Sequence, residues 1–162
     1  MLKKSLLVLL VLTTMHVFGQ KNAAKVLGIW QPKLNGKFVT GKDLGITLAP
    51  YSNQYAFYIF SKENFYFALA PNKASLTKAS LPGLIKKQVA GEGTYAYYDS
   101  LPAIPENLRA KFEGQSPFKP STAFIEGNVQ NEPFSFYFEP AVKKLYGLNK
   151  EAKMELIYSG PF

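Results

Sequence analysis

At 162 residues the chain has the length of a single domain, and its complete lack of cysteine excludes disulfides and thiolate chemistry. One histidine, His16, and one arginine, Arg109, leave no material for a His-ligated zinc centre or for bidentate arginine readout of nucleic acid, despite a formal net charge of +8. What is plentiful is aromatic surface: 13 Phe, 10 Tyr and one Trp.

The chain begins with a cationic Met1-Leu2-Lys3-Lys4, an unbroken apolar run from Leu6 to Leu12, and Val17-Phe18-Gly19 at the positions a signal peptidase reads. This pattern predicts a secretory signal peptide over residues 1–19 and an exported domain over residues 20–162, periplasmic or extracellular. The apolar run is too short to span a hydrocarbon core, which needs about 20 residues. Cleavage after Gly19 removes His16, Lys3 and Lys4, so 17 cationic side chains face 11 acidic ones and the net charge falls to +6. With no cysteine to form disulfides in an oxidising compartment, stability must come from a packed core.

In chain order, Lys21 to Leu27 predicts a helical turn, and a first strand over Leu27–Lys33 reaches a turn at Asn35-Gly36. Lys37–Thr40 and Ile46–Leu48 read as short strands separated by a turn at Asp43-Leu44-Gly45. Next comes Tyr55-Ala-Phe-Tyr-Ile-Phe60, four polar residues, and Phe65-Tyr-Phe-Ala-Leu69, a β-hairpin signal. A centred turn sets Phe60 opposite Phe65, Tyr58 opposite Phe67 and Ala56 opposite Leu69. Tyr55, Phe57, Ile59, Tyr66 and Ala68 then share the other face, so both faces are apolar and the rest of the chain must cover them.

Pro71 to Pro82 reads as a surface loop, Leu84–Val89 as strand or helical turn, and Gly91-Glu92-Gly93 as a break before a strand over Thr94–Tyr98. Pro105 opens a helix candidate over Glu106–Phe112 that Gly114 can end. A strand over Thr122–Gln130, interrupted at Gly127-Asn128, precedes the strict alternation Phe134-Ser-Phe-Tyr-Phe138. Val142–Leu148 and Met154–Tyr158 close the series. Seven to nine short strands at hairpin spacing, with one or two short helices, predict an all-β antiparallel sandwich or barrel.

Loss of His16 removes any Ser-His-Asp triad. Carboxylate pairs remain open in principle, with Glu92, Glu106, Glu126 and Glu139 as candidates, although each also reads as a solvated turn or edge charge. Gly91-Glu92-Gly93-Thr94 opens an aromatic strand rather than a helix and lacks a lysine, so it is a turn rather than a phosphate loop. No catalytic residue, metal or cofactor is assigned.

The order of features resembles lipocalin-like domains, notably small bacterial ones: Leu27-Gly28-Ile29-Trp30 is similar to their Gly-x-Trp start, followed by the hairpin and by Gly93-Thr94-Tyr95-Ala96-Tyr97. The resemblance implies an antiparallel up-and-down barrel, not an enzyme, with Gly28 and Trp30 as the structural plug of its closed end. In that family an arginine near the C-terminal strand covers the tryptophan; here Arg109 falls in the helix candidate and Lys153 is the substitute. On this reading Tyr58, Phe60, Phe65, Phe67, Tyr95, Tyr97, Phe134, Phe136 and Phe138 line a cavity for a small hydrophobic molecule. The protein is expected to be a monomer, without nucleic-acid partner or integral membrane segment after cleavage. The main alternative is a non-catalytic secreted interaction protein with a filled β core and an exposed aromatic strip for a glycan or protein.

Overall fold

The structure is a computed structural model that describes residues 23–99, 123–147 and 154–162. The signal-peptide region, the helix candidate over Glu106–Phe112 and Lys153 lie outside these residues. The central hairpin forms as its pattern dictates. Strands β3 (Tyr55–Phe60) and β4 (Phe65–Ala70) pair with Phe60 opposite Phe65, Tyr58 opposite Phe67 and Ala56 opposite Leu69. Side chains alternate between faces with period two, so this register fixes which rings point inward.

Around the hairpin run β1 (Gly28–Leu34), β5 (Ala90–Tyr98), β6 (Ala123–Val129), β7 (Glu132–Glu139), β8 (Lys144–Gly147) and β9 (Met154–Gly160). They are antiparallel in the order β1-β3-β4-β5-β6-β7-β8-β9, and β9 pairs back onto β1 from Ile29–Gly160 to Leu34–Met154. The result is a closed eight-stranded barrel. The two-residue β2 (Lys37–Phe38) folds back on the end of β1 through Asn35 and Gly36, both at positive φ (51° and 82°) as a type I′ hairpin turn requires. Gln130 and Asn131 (50° and 70°) make the matching turn between β6 and β7.

Four expectations are corrected. Ile46–Leu48 is not a strand; the segment from Val39 to Asn53 forms short 3₁₀ turns at Lys42–Leu44 and Tyr51–Asn53 and packs Val39 and Ile46 against Ala56 and Leu69. Gly91-Glu92-Gly93 does not break β5, and Gly127-Asn128 does not break β6. The glycines are there for close approach. A Cβ on Gly93 would overlap the Asn128 carbonyl oxygen, and one on Gly127 would overlap the Thr94 carbonyl oxygen and come within 2.6 Å of the Phe134 ring.

Pro71–Pro82 is also more than a surface loop. It turns through a 3₁₀ segment at Lys73–Ser75, buries Leu76, and feeds helix α1 (Leu81–Lys86). Thr77 and Ser80 exchange side-chain bonds to each other's backbone N–H (2.9 and 3.1 Å), and Pro82 occupies the first turn. Leu76, Leu81, Leu84 and Ile85 then cover Ile29, Phe57, Ile59, Ala68 and Ala90 on the outside of the barrel. This explains a hairpin apolar on both faces: one fills the barrel and the other lies beneath α1. Among the described residues no helix is long and apolar enough to cross a membrane.

Candidate functional site

The register carries one set of side chains inward from every strand: Trp30 and Leu34, Tyr58 and Phe60, Phe65 and Phe67, Tyr95 and Tyr97, Ile125 and Val129, Phe134 to Phe138, Leu145, and Met154 to Tyr158. All nine rings named from the sequence are on this inner face. They pack chiefly on one another, with Phe65–Phe134 centroids 4.1 Å apart, Phe60–Phe65 4.9 Å and Phe60–Tyr95 5.1 Å.

Depth divides them. At the end crossed by the helical turn Ala23–Val26, Trp30 is fully buried, edge-on to Phe138 (5.8 Å) and Tyr158 (5.2 Å), and its Nε1–H donates to the Val26 carbonyl at 2.7 Å. Lys143 places its ammonium 5.0 Å from the centre of the Tyr158 ring. At mid-height the interior is filled. β3 and β7 are opposite each other in the ring, yet Phe136 meets Tyr58 at 5.6 Å and Phe60 at 6.4 Å. No guest fits between rings at that separation.

Towards the Gln130-Asn131 turn the packing opens. On β7, Phe138 and Phe136 are buried but Phe134 is half-buried; on β4, Phe65 is buried but Phe67 is half-buried. Leu34, Val129 and Met154 are half-buried at the same end. These three were not singled out from the sequence, although continuing the alternation from Trp30, Ile125 and Leu156 points to them. With Phe134 and Phe67 they are the partly exposed apolar side chains above the Tyr58–Phe136 contact, the cup of the barrel, while Ala56 and Leu69 beside them stay buried beneath Val39 and Ile46.

The polar groups on the inner face include tyrosine hydroxyls, those of Tyr95 and Tyr97 lying towards the end opposite the cup. Tyr95 Oη donates to the Ser61 carbonyl at 2.7 Å, beside the β3–β4 turn. The Tyr58 hydroxyl has no hydrogen-bond partner among the described residues, and burial pushes its pKa up. Burial also raises Tyr95 to about 12, and burial followed by the nearby Asp99 carboxylate raises Tyr97 to about 12. A phenol whose folded pKa exceeds its unfolded value of 10.0 stabilises the fold in full below pH 10 and loses that contribution as pH climbs towards 12. Urea midpoints should therefore fall across that window, in step with tyrosinate absorbance, and the double variant Tyr95→Phe/Tyr97→Phe should flatten the fall. A midpoint independent of pH through the window would contradict the burial of these hydroxyls.

Among the described residues the candidate carboxylates do not converge on the cup. Glu92 is on the outer face, accepting from Asn64 Nδ2 at 2.5 Å; Glu126 opposes Ala96 and Ser135; Glu139 ends β7 opposite Lys144; Glu106 is outside the described residues. No group of three or more His, Cys, Asp or Glu side chains is placed to hold a metal among the described residues. A scan against protein-family models finds no match, and neither a search of curated proteins nor one of solved structures finds a relative.

Proposed function

We propose that this is an exported, lipocalin-like, non-catalytic binding protein that holds a small hydrophobic molecule in the aromatic cup of its barrel. The observation that carries the reading is the graded burial of inward-facing rings. The same strands that bury Phe65 and Phe136 leave Phe67 and Phe134 half-buried at the open end. Apolar surface held inside a barrel yet reachable from solvent is suited to a guest, because covering it removes that surface from water. The unpartnered Tyr58 hydroxyl at the floor supplies one directional contact for a polar atom on the ligand. Export rests on the leader pattern of residues 1–19.

The cross-barrel contact of Tyr58 with Phe136 favours the second reading, a filled core serving an outside surface. One titration separates the two. Nile red, an uncharged apolar dye, should bind saturably, and Phe134→Glu should weaken it at least tenfold while leaving the circular dichroism unchanged. Absence of saturable binding, or equal binding by this variant, would favour the filled-core reading.

A further inference from the structure

A concavity of about 900 Å³ lies beside the β3–β4 turn, at the end of the barrel away from the cup, a volume in the range of small-molecule sites. It is bounded by α1, the β3–β4 turn, Leu27-Gly28 at the start of β1 and the Pro161-Phe162 segment after β9, and it reaches the inward-facing rings of Phe60 and Tyr158. Its base is apolar: Leu81 and Ile85 from α1, Tyr66 from β4, and Phe162, whose ring is 6.3 Å from that of Tyr66. Around it stand Lys62 of the turn, Lys78 of the segment before α1, and Lys86 at the end of α1.

Among the described residues none of these three ammonium groups has an ion-pair or hydrogen-bond partner. Two carboxylates also border the groove. Glu92 accepts from Asn64 Nδ2, and Glu63 is exposed in the turn, so the rim keeps an excess of positive charge. An apolar trough with unpaired cations on its rim is complementary to one kind of molecule, an unbranched apolar chain ending in an anion.

We propose that this groove is a binding site, separate from the barrel cup, for a free long-chain carboxylate. The hydrocarbon chain lies on Leu81, Ile85, Tyr66 and Phe162, and the carboxylate is held by the lysines. The site does not depend on the cup, because it lies at the β3–β4-turn end of the barrel, where it reaches the inward-facing Phe60 and Tyr158, whereas the cup lies at the opposite end, beyond the Tyr58–Phe136 contact.

The test is calorimetric titration of the full chain with dodecanoate and, as uncharged control, dodecanol. Dodecanoate should bind at least tenfold more tightly than dodecanol. The exposed-residue variant Lys62→Gln/Lys78→Gln/Lys86→Gln should erase that difference, and Ile85→Glu should abolish binding. Equal affinity for the two ligands, or a lysine variant that binds as wild type does, would overturn the proposal. So would loss of dodecanoate binding on Phe134→Glu with none on Ile85→Glu, which would put the carboxylate in the cup and leave the barrel reading intact. Lysine-dependent binding to anionic lipid vesicles without binding of free dodecanoate would overturn it in favour of a membrane surface.

Discussion

Replacing Trp30 by alanine should remove about 3–5 kcal/mol of folding stability, among the largest losses any single substitution causes. The indole is fully buried and packs edge-on against Phe138 and Tyr158, so deletion leaves a hole bounded by rings from β7 and β9. It also strips the Val26 carbonyl of its 2.7 Å donor, which lets go of the helical turn that crosses this end of the barrel. Trp30→Phe isolates the second effect. It keeps most of the ring volume, leaves the buried carbonyl unpaired, and should cost about 1–3 kcal/mol. Urea denaturation of the two variants measures both. A Trp30→Ala midpoint within error of wild type would mean that this end of the barrel is not held by its tryptophan.

Phe136→Ala should cost a comparable amount, about 3–5 kcal/mol, and should also change ligand behaviour. Phe136 is 2 % exposed and touches Tyr58, Phe60 and Phe134, so it is the ring that turns a hollow cylinder into a filled one at mid-height. Its removal leaves a space lined by aromatic carbon, and apolar holes of this kind stay dry and accept apolar guests. Nile red should bind more tightly to Phe136→Ala than to wild type, in a protein that unfolds at lower urea. Unchanged stability would show that the floor is not packed. Lower stability without tighter dye binding would show that the hole collapses instead of deepening the cup.

The barrel was legible in the sequence because period-two alternation is a strong signal wherever rings mark one face. The polar break between Phe60 and Phe65 fixed the hairpin register, and Phe134, Phe136 and Phe138 announced their shared face directly. Glycine was harder to read. At Gly91, Gly93 and Gly127 it looked like punctuation, whereas at Gly93 and Gly127 the neighbouring strand comes so near that a Cβ has no room. That neighbour belongs to the tertiary structure and leaves no local mark. Helix α1 was ambiguous for a different reason: six residues containing Pro82 and Gly83 carry little intrinsic helical preference, and the helix is held by burying Leu81 on the barrel. The outer groove could not be seen at all. Lys62, Lys78 and Lys86 come from a turn, an irregular segment and a helix, and only the packing of α1 on the outside of the barrel gathers them.

The ring is closed by β1 and β9, whose partners Ile29 and Gly160 are about 130 residues apart, so its last contact is also among its least local, the kind that slows folding most. A nascent chain carries β1 and β8 as unpaired borders until β9 has been synthesised, with aromatic-rich strands ready to join another molecule. Its most vulnerable moment is therefore before completion, while those borders are open to another molecule.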